Sequence, residues 1–241
     1  MKIIEKIANR NKDNHGYPIP KIVAFGDSNT QGCFEVWETK KEGVSVAYDS
    51  QNAYHALLSR LLSELFPKAA VTVVNAGISG DSSEGGLKRL ERDVLSEKPD
   101  LVIVSFGSND CAVHGAAYAD TYAENMKKII SQVKASGSEV ILLTPPFGCT
   151  EVSDLVEGEN LRKIAESVAA VQNNGVKSAY CARAKAVAEA LGASVCDVNA
   201  KWEQMAALGV DTNALLSNHI NHPTRGLTHL TARMLLDTMF S

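Results

Sequence analysis

The sequence predicts an α/β fold: a three-layer α/β/α sandwich around a central, mostly parallel sheet of five strands. Five short runs, at 21–25, 71–75, 101–106, 140–144 and 194–198, are near-continuously apolar, as strands covered on both faces are. Helical periods lie between them. Strand alternating with helix specifies parallel pairing, because each crossover returns the chain to the same edge of the sheet. In such sheets ligands bind at the loops leaving the carboxyl ends of the strands.

The elements follow in order. Residues 1–20 form a polar opening closed by Pro18 and Pro20, read as an N-terminal extension to a single domain over 21–241. The first strand, 21–25, runs into Gly26-Asp27-Ser28, and a long loop then spans 33–50. Tyr54, Leu57, Leu61 and Leu65 recur at helical spacing before the strand 71–75. After the strand 101–106, Tyr118, Tyr122, Met126, Ile130 and Val133 form a second stripe, with Gly137 placed as a left-handed cap. The strand 140–144 leads to a second long loop, 147–159, and the strand 194–198 precedes a last helix at about 225–238, with Leu227, Leu230 and Met234 inward. Loops of this length in a compact domain are usually functional.

Composition narrows the function. At 241 residues, 45% hydrophobic and 22% charged, the chain is an ordinary globular protein and not a disordered one. A net charge of −4 without a basic cluster argues against nucleic acid as a partner. The five cysteines, at 33, 111, 149, 181 and 196, are odd in number and never spaced C-x-x-C, so neither a disulfide framework nor a zinc ribbon is expected. Apolar runs are strand-length, so no membrane partner is expected. Met1-Lys2-Ile3-Ile4 meets Glu5 and Lys6 before an apolar core of a signal peptide can form, and the expected setting is cytoplasmic. Nothing in the sequence speaks to oligomeric state.

The chemistry-bearing residues gather at strand ends. Ser28 follows the first strand in a turn opened by glycine, where its hydroxyl can stand over the sheet edge beside free helix N–H groups; equally, Asp27 or Ser28 can serve only as a helix cap. Gly80, after the second strand, can present a backbone N–H to an anion. Asn109, after the third, can donate its amide to a developing oxyanion or close an Asx turn. His222 precedes Pro223, which biases it toward extended backbone and makes it a candidate general base.

Several other chemistries fail. Gly80 and Gly85 are spaced as in a phosphate loop, yet Gly86 and Leu87 stand where lysine and Ser/Thr are required, so no nucleotide cofactor is expected. His219, His222 and His229 lack the glutamate and the shared helical face of a zinc motif, so no metal is expected. No G-x-S-x-G occurs, which removes the nucleophile elbow. His55 and His114 are expected at the surface, and Tyr118 and Tyr122 in the core.

As a set, Gly26-Asp27-Ser28, Gly80, Gly107-Ser108-Asn109-Asp110 and His222-Pro223 resemble the four blocks of the SGNH (GDSL-type) hydrolase family, over about residues 21 to 239. The resemblance implies that family's flavodoxin-like sandwich and a cofactor-free serine esterase. By it Ser28 is the nucleophile, Gly80 and Asn109 supply oxyanion donors and His222 is the base. It further implies a small-molecule ester substrate with a short acyl group, acetyl foremost, on sugars or simple alcohols. A long-chain lipase, lysophospholipase or thioesterase of the same fold is the alternative. Phe34-Glu35-Val36-Trp37 is expected to wall the site, with Trp37 either stacking on a sugar or packing its loop onto the body.

One position departs from the pattern. The family carries Asp three residues before the histidine, and here that residue is His219. An imidazole does not replace a carboxylate in stabilising an imidazolium. Asn218, Asn221, a main-chain carbonyl or a carboxylate such as Asp211 must then orient His222. The departure also supports a reading from a different class, a non-catalytic ester- or carbohydrate-binding module.

Overall fold

A computed structural model describes residues 1–41 and 43–241. Among them, β1 (Lys21–Gly26), β4 (Thr72–Gly77), β5 (Leu101–Ser105), β6 (Glu139–Leu143) and β7 (Ser194–Cys196) form one sheet in the order β4-β1-β5-β6-β7. Every pairing in it is parallel. The continuous apolar runs are explained by strict alternation between two cores. Ile22, Ala24, Leu101, Ile103 and Ile141 face one layer, and Val23, Phe25, Val102, Val104 and Val140 the other. The first layer holds α1 (Lys2–Lys12), α3 (Tyr54–Leu65), α7 (Glu159–Asn173), α9 (Val198–Ala207) and α10 (Arg225–Phe240). The second holds α4 (Ser83–Asp93), α6 (Ala119–Ala135) and α8 (Val176–Ala190). No helix among the described residues is long and apolar enough to cross a membrane.

Some expectations change. The opening read as an extension contributes to the core: Ile3 and Ile7 of α1 are fully buried, and Glu139 at the start of β6 accepts hydrogen bonds from Lys2 N and Ile3 N. The long loop at 33–50 holds an antiparallel hairpin, β2 (Cys33–Thr39) with β3 (Gly43–Tyr48). The last strand is shorter than its apolar run because Asp197 caps α9 through Ala200 N, ending the extended segment. Tyr122 is buried as expected and Gly137 has φ +90° after α6. His55 is not at the surface: it is buried on α3, with Nε2 lacking a partner among the described residues, and burial holds its pKa down to about 4.

Candidate active site

β4, β1 and β5 are neighbours, so the three loops that carry Gly80, Ser28 and Asn109 leave one edge of the sheet side by side. The first turn is built tightly. Asp27 accepts from Asn29 N at 3.0 Å and so caps α2 (Ser28–Gln31), placing Ser28 at the first helical position. Capping and projection of the hydroxyl are therefore one arrangement, not alternatives. A side chain at Gly77 would collide with the Gln31 backbone, so glycine there lets α2 lie against the end of β4.

Polar bonds then fasten the loops to one another. Gln31 Oε1 accepts from Ser79 N at 2.6 Å, tying α2 to the Gly80 turn. Asn109 Nδ2 donates to the Asp81 carbonyl at 2.8 Å, which sets that amide one residue from Gly80. Gly107 turns the chain out of β5 at φ +129°, with the Tyr122 hydroxyl 3.0 Å from where a Cβ would stand, and Tyr122 Oη donates to the Phe106 carbonyl. Asp110 takes the Ser83 hydroxyl at 2.5 Å and binds α5 (Ser108–His114) to α4.

Beneath the edge lies a residue that the sequence reading missed. The Arg89 guanidinium is buried, donates to the carbonyls of Ala76 and Gly26 and to Asp81 and Asp93, and sits 4.6 Å over the Phe25 ring. It joins the ends of β1 and β4 and so fixes the two loops relative to each other. The available signal was its place three residues after Gly86, on the inward face of α4.

The late loop closes the site. His222 Nε2 lies 2.9 Å from Ser28 Oγ, and both residues are buried. His222 Nδ1 lies 3.1 Å from the Phe34 carbonyl. A carbonyl only accepts, so Nδ1 carries the proton and Nε2 turns its lone pair toward the serine hydroxyl. Of the candidate orienters, the main-chain carbonyl is the one in place. Asp211 instead accepts from Asn213 N and Ala214 N, and Asn221 accepts from Asn218 Nδ2. Asn218 acts on the backbone: its Oδ1 receives the N–H groups of Ile220, Asn221 and His222. His219 is in the left-handed region at φ +57° and faces a neighbouring cleft.

Phe34 is itself held. Arg225 forks onto Glu35 at 2.6 and 3.2 Å, binds Asp49 at 2.7 Å and lies 4.3 Å over the Phe34 ring. That fork holds the Glu35 carboxyl below its ordinary range. Burial holds the His222 pKa down to about 4, against the pull of the Phe34 carbonyl and Glu35. The Asp27 carboxyl is pushed up to about 7 by burial, with the Asn29 N–H and Lys177 opposing.

A buried serine–imidazole pair beside backbone turns on a doubly wound sheet defines a hydrolase-like site. The chain belongs to the GDSL-like lipase/acylhydrolase family, whose model matches residues 24–226. It is 29% identical over 133 residues to an acetylxylan esterase of Geobacillus stearothermophilus, covering 52% of this chain and 59% of that protein. It is 32% identical over 133 residues to an arylesterase of Vibrio mimicus, covering 51% and 66%. The matches thus span less than two thirds of either relative. Its fold superposes on a lipase/acylhydrolase from Enterococcus faecalis with a TM-score of 0.65 at 26% identity, over 92% of this chain and 95% of that one.

Proposed function

We propose that the chain is a serine esterase that hydrolyses short-chain esters, acetyl foremost, of carbohydrate or simple alcohols. The observation that carries the proposal is the 2.9 Å contact between His222 Nε2 and Ser28 Oγ, with Nδ1 anchored on the Phe34 carbonyl. Similarity to an acetylxylan esterase supports the acyl group and the class of alcohol.

Ser28 Oγ attacks the ester carbonyl as its proton passes to His222 Nε2. The carbonyl oxygen becomes an oxyanion, for which the N–H groups of Ser28 and Gly80 and the Asn109 amide are the donors. Collapse breaks the bond to the alcohol oxygen, which takes the proton from Nε2 and leaves an acyl-Ser28 ester. Water then gives a proton to Nε2 and attacks the acyl carbon. Collapse of the second intermediate returns that proton to Ser28 Oγ and releases the carboxylic acid. Through each cycle the imidazolium keeps its Nδ1–H on the Phe34 carbonyl, which stands where the carboxylate whose loss supports the binding-module reading would act.

Ser28→Ala is expected to abolish turnover of p-nitrophenyl acetate and labelling by a fluorophosphonate probe, with an unchanged circular dichroism spectrum. Equal turnover by variant and parent would end the proposal.

A further inference from the structure

The turn that carries Gly80 can be accounted for bond by bond. Gly77 N donates to Asn75 Oδ1, Ile78 N to the Gly26 carbonyl and Ser79 N to Gln31 Oε1. Asp81 N donates back to the Ile78 carbonyl at 3.2 Å, Ser82 N to Asp81 Oδ1 and Ser83 N to Asp110. From Gly77 to Ser83, Gly80 N is the one main-chain donor without an acceptor among the described residues. Gly80 holds φ +76°. The turn thus closes on every N–H but the one an oxyanion needs.

One residue ties this turn to the second donor. The Asp81 carbonyl accepts from Asn109 Nδ2 at 2.8 Å. A carbonyl only accepts, so that bond fixes which end of the Asn109 amide is nitrogen and spends one of its two N–H groups. The other N–H remains for the oxyanion. Asp81 N meanwhile closes the turn behind Gly80. Both donors therefore take their aim from the main chain of Asp81.

The Asp81 side chain pins that main chain. Oδ2 takes Arg89 Nε at 2.6 Å, and Oδ1 takes Ser82 N at 2.9 Å. Only 8% of the Arg89 side chain and 13% of that of Asp81 are exposed, so water competes little for the pair. Arg89 is itself fixed on the carbonyls of Ala76 and Gly26, at the ends of β4 and β1. The carboxylate lies against the first turn of α4, where a Cβ on Gly85 would strike Oδ1. The spacing of Gly80 and Gly85, which imitates a phosphate loop, thus has another use. One glycine leaves a donor free, and the other admits the carboxylate that steadies it.

We propose that Asp81 is a positioning residue for the oxyanion hole, aiming the Gly80 N–H and the Asn109 amide from one anchored point. It acts through these two groups and not on the substrate itself. The assignment rests on the esterase reading of Ser28 and extends it.

Steady-state kinetics with phenyl acetate test it. Donors displaced by about 1 Å hold an oxyanion poorly, so Asp81→Ala is expected to lower kcat and kcat/KM together by about 10 to 10², leaving KM little changed. Asp81→Asn keeps a single oxygen for two donors and is expected to recover part of the loss. In Asn109→Ala the amide to be aimed is gone, so adding Asp81→Ala should lower kcat no more than about threefold further, the remainder being the share of Gly80. Asp93→Ala takes a different carboxylate from Arg89 without touching the turn and is expected to leave kcat within about twofold. Circular dichroism identifies the folded variants, and Asp81→Asn replaces Asp81→Ala in the cycle if the latter unfolds. An unchanged kcat in the folded Asp81 variant, fully multiplicative losses in the double variant, or an equal loss in Asp93→Ala would each overturn the assignment. These outcomes leave the esterase reading standing. Equal turnover by Ser28→Ala and parent removes that reading and the assignment with it.

Discussion

Lowering the pH is the most revealing perturbation of the dyad. An imidazole in water titrates near 6.5, and burial holds His222 at about 4. That difference corresponds to about 3 kcal/mol favouring the neutral ring. At pH 5.5 an ordinary histidine keeps roughly a tenth of its population as free base, whereas at a pKa of about 4 roughly nineteen-twentieths remains. Activity is therefore expected to hold its plateau to about pH 5 and to fall only below it. The assay is kcat/KM for phenyl acetate in a pH-stat from pH 4 to 8, which reports the free enzyme's essential groups. Circular dichroism at each pH is needed because of linkage. With its folded pKa below the unfolded one, His222 binds more protons unfolded, so its contribution to stability is lost as pH falls from 6.5 through 4. Asp27, raised to about 7, has the opposite sign and destabilises as pH rises through 4 to 7. Any limb near pH 7 that belongs to Asp27 disappears in Asp27→Asn. A limb at 6.5 or above that persists in folded Asp27→Asn would refute the argument that burial, outweighing the Phe34 carbonyl and Glu35, sets the base.

Other outcomes follow from the contacts. Arg225→Ala releases Glu35, Asp49 and the Phe34 ring, so kcat for phenyl acetate should fall about tenfold with KM little changed, and Arg225→Lys, lacking the planar fork, should recover only part in steady-state kinetics. Arg89→Met leaves Asp81 and the carbonyls of Ala76 and Gly26 without their guanidinium, while Asp93 keeps Arg92, and should cost about 3–5 kcal/mol in urea unfolding. Asn109→Ala removes a proposed oxyanion donor and should lower kcat by about 10² to 10³. The same change breaks the bond to the Asp81 carbonyl, at about 1 kcal/mol in thermal unfolding.

What the sequence disclosed and what it withheld have physical reasons. Buried parallel strands write themselves as runs such as Leu101-Val102-Ile103-Val104, and their crossovers dictate which loops share an edge, so Ser28, Gly80 and Asn109 were legible as neighbours. The β2–β3 hairpin was not, because beyond the buried Cys33 and Phe34 it is half-exposed or exposed along both strands and carries no regular alternation of burial. The partner of His222 left no trace, since it is a carbonyl that every residue possesses; only the absence of a carboxylate at position 219 hinted at it. Arg89 and His55 misled for a shared reason: a polar side chain on a helix reads as solvated unless the carbonyls or apolar walls around it are known. Ile3 and Ile7 did carry a helical spacing, obscured by the charged residues around them.

The bond from Glu38 to Leu161 N has a mechanical consequence. Gly158 has no side chain to satisfy the first turn of α7, so the carboxylate crosses over from the hairpin to do so. Arg225 anchors the same strand at Glu35, next to the Phe34 carbonyl that holds His222. The hairpin is thus riveted at two points, and α7 is coupled to it like the second leaf of a hinge. Any motion that lifts the hairpin must carry both leaves at once, or first uncap the helix.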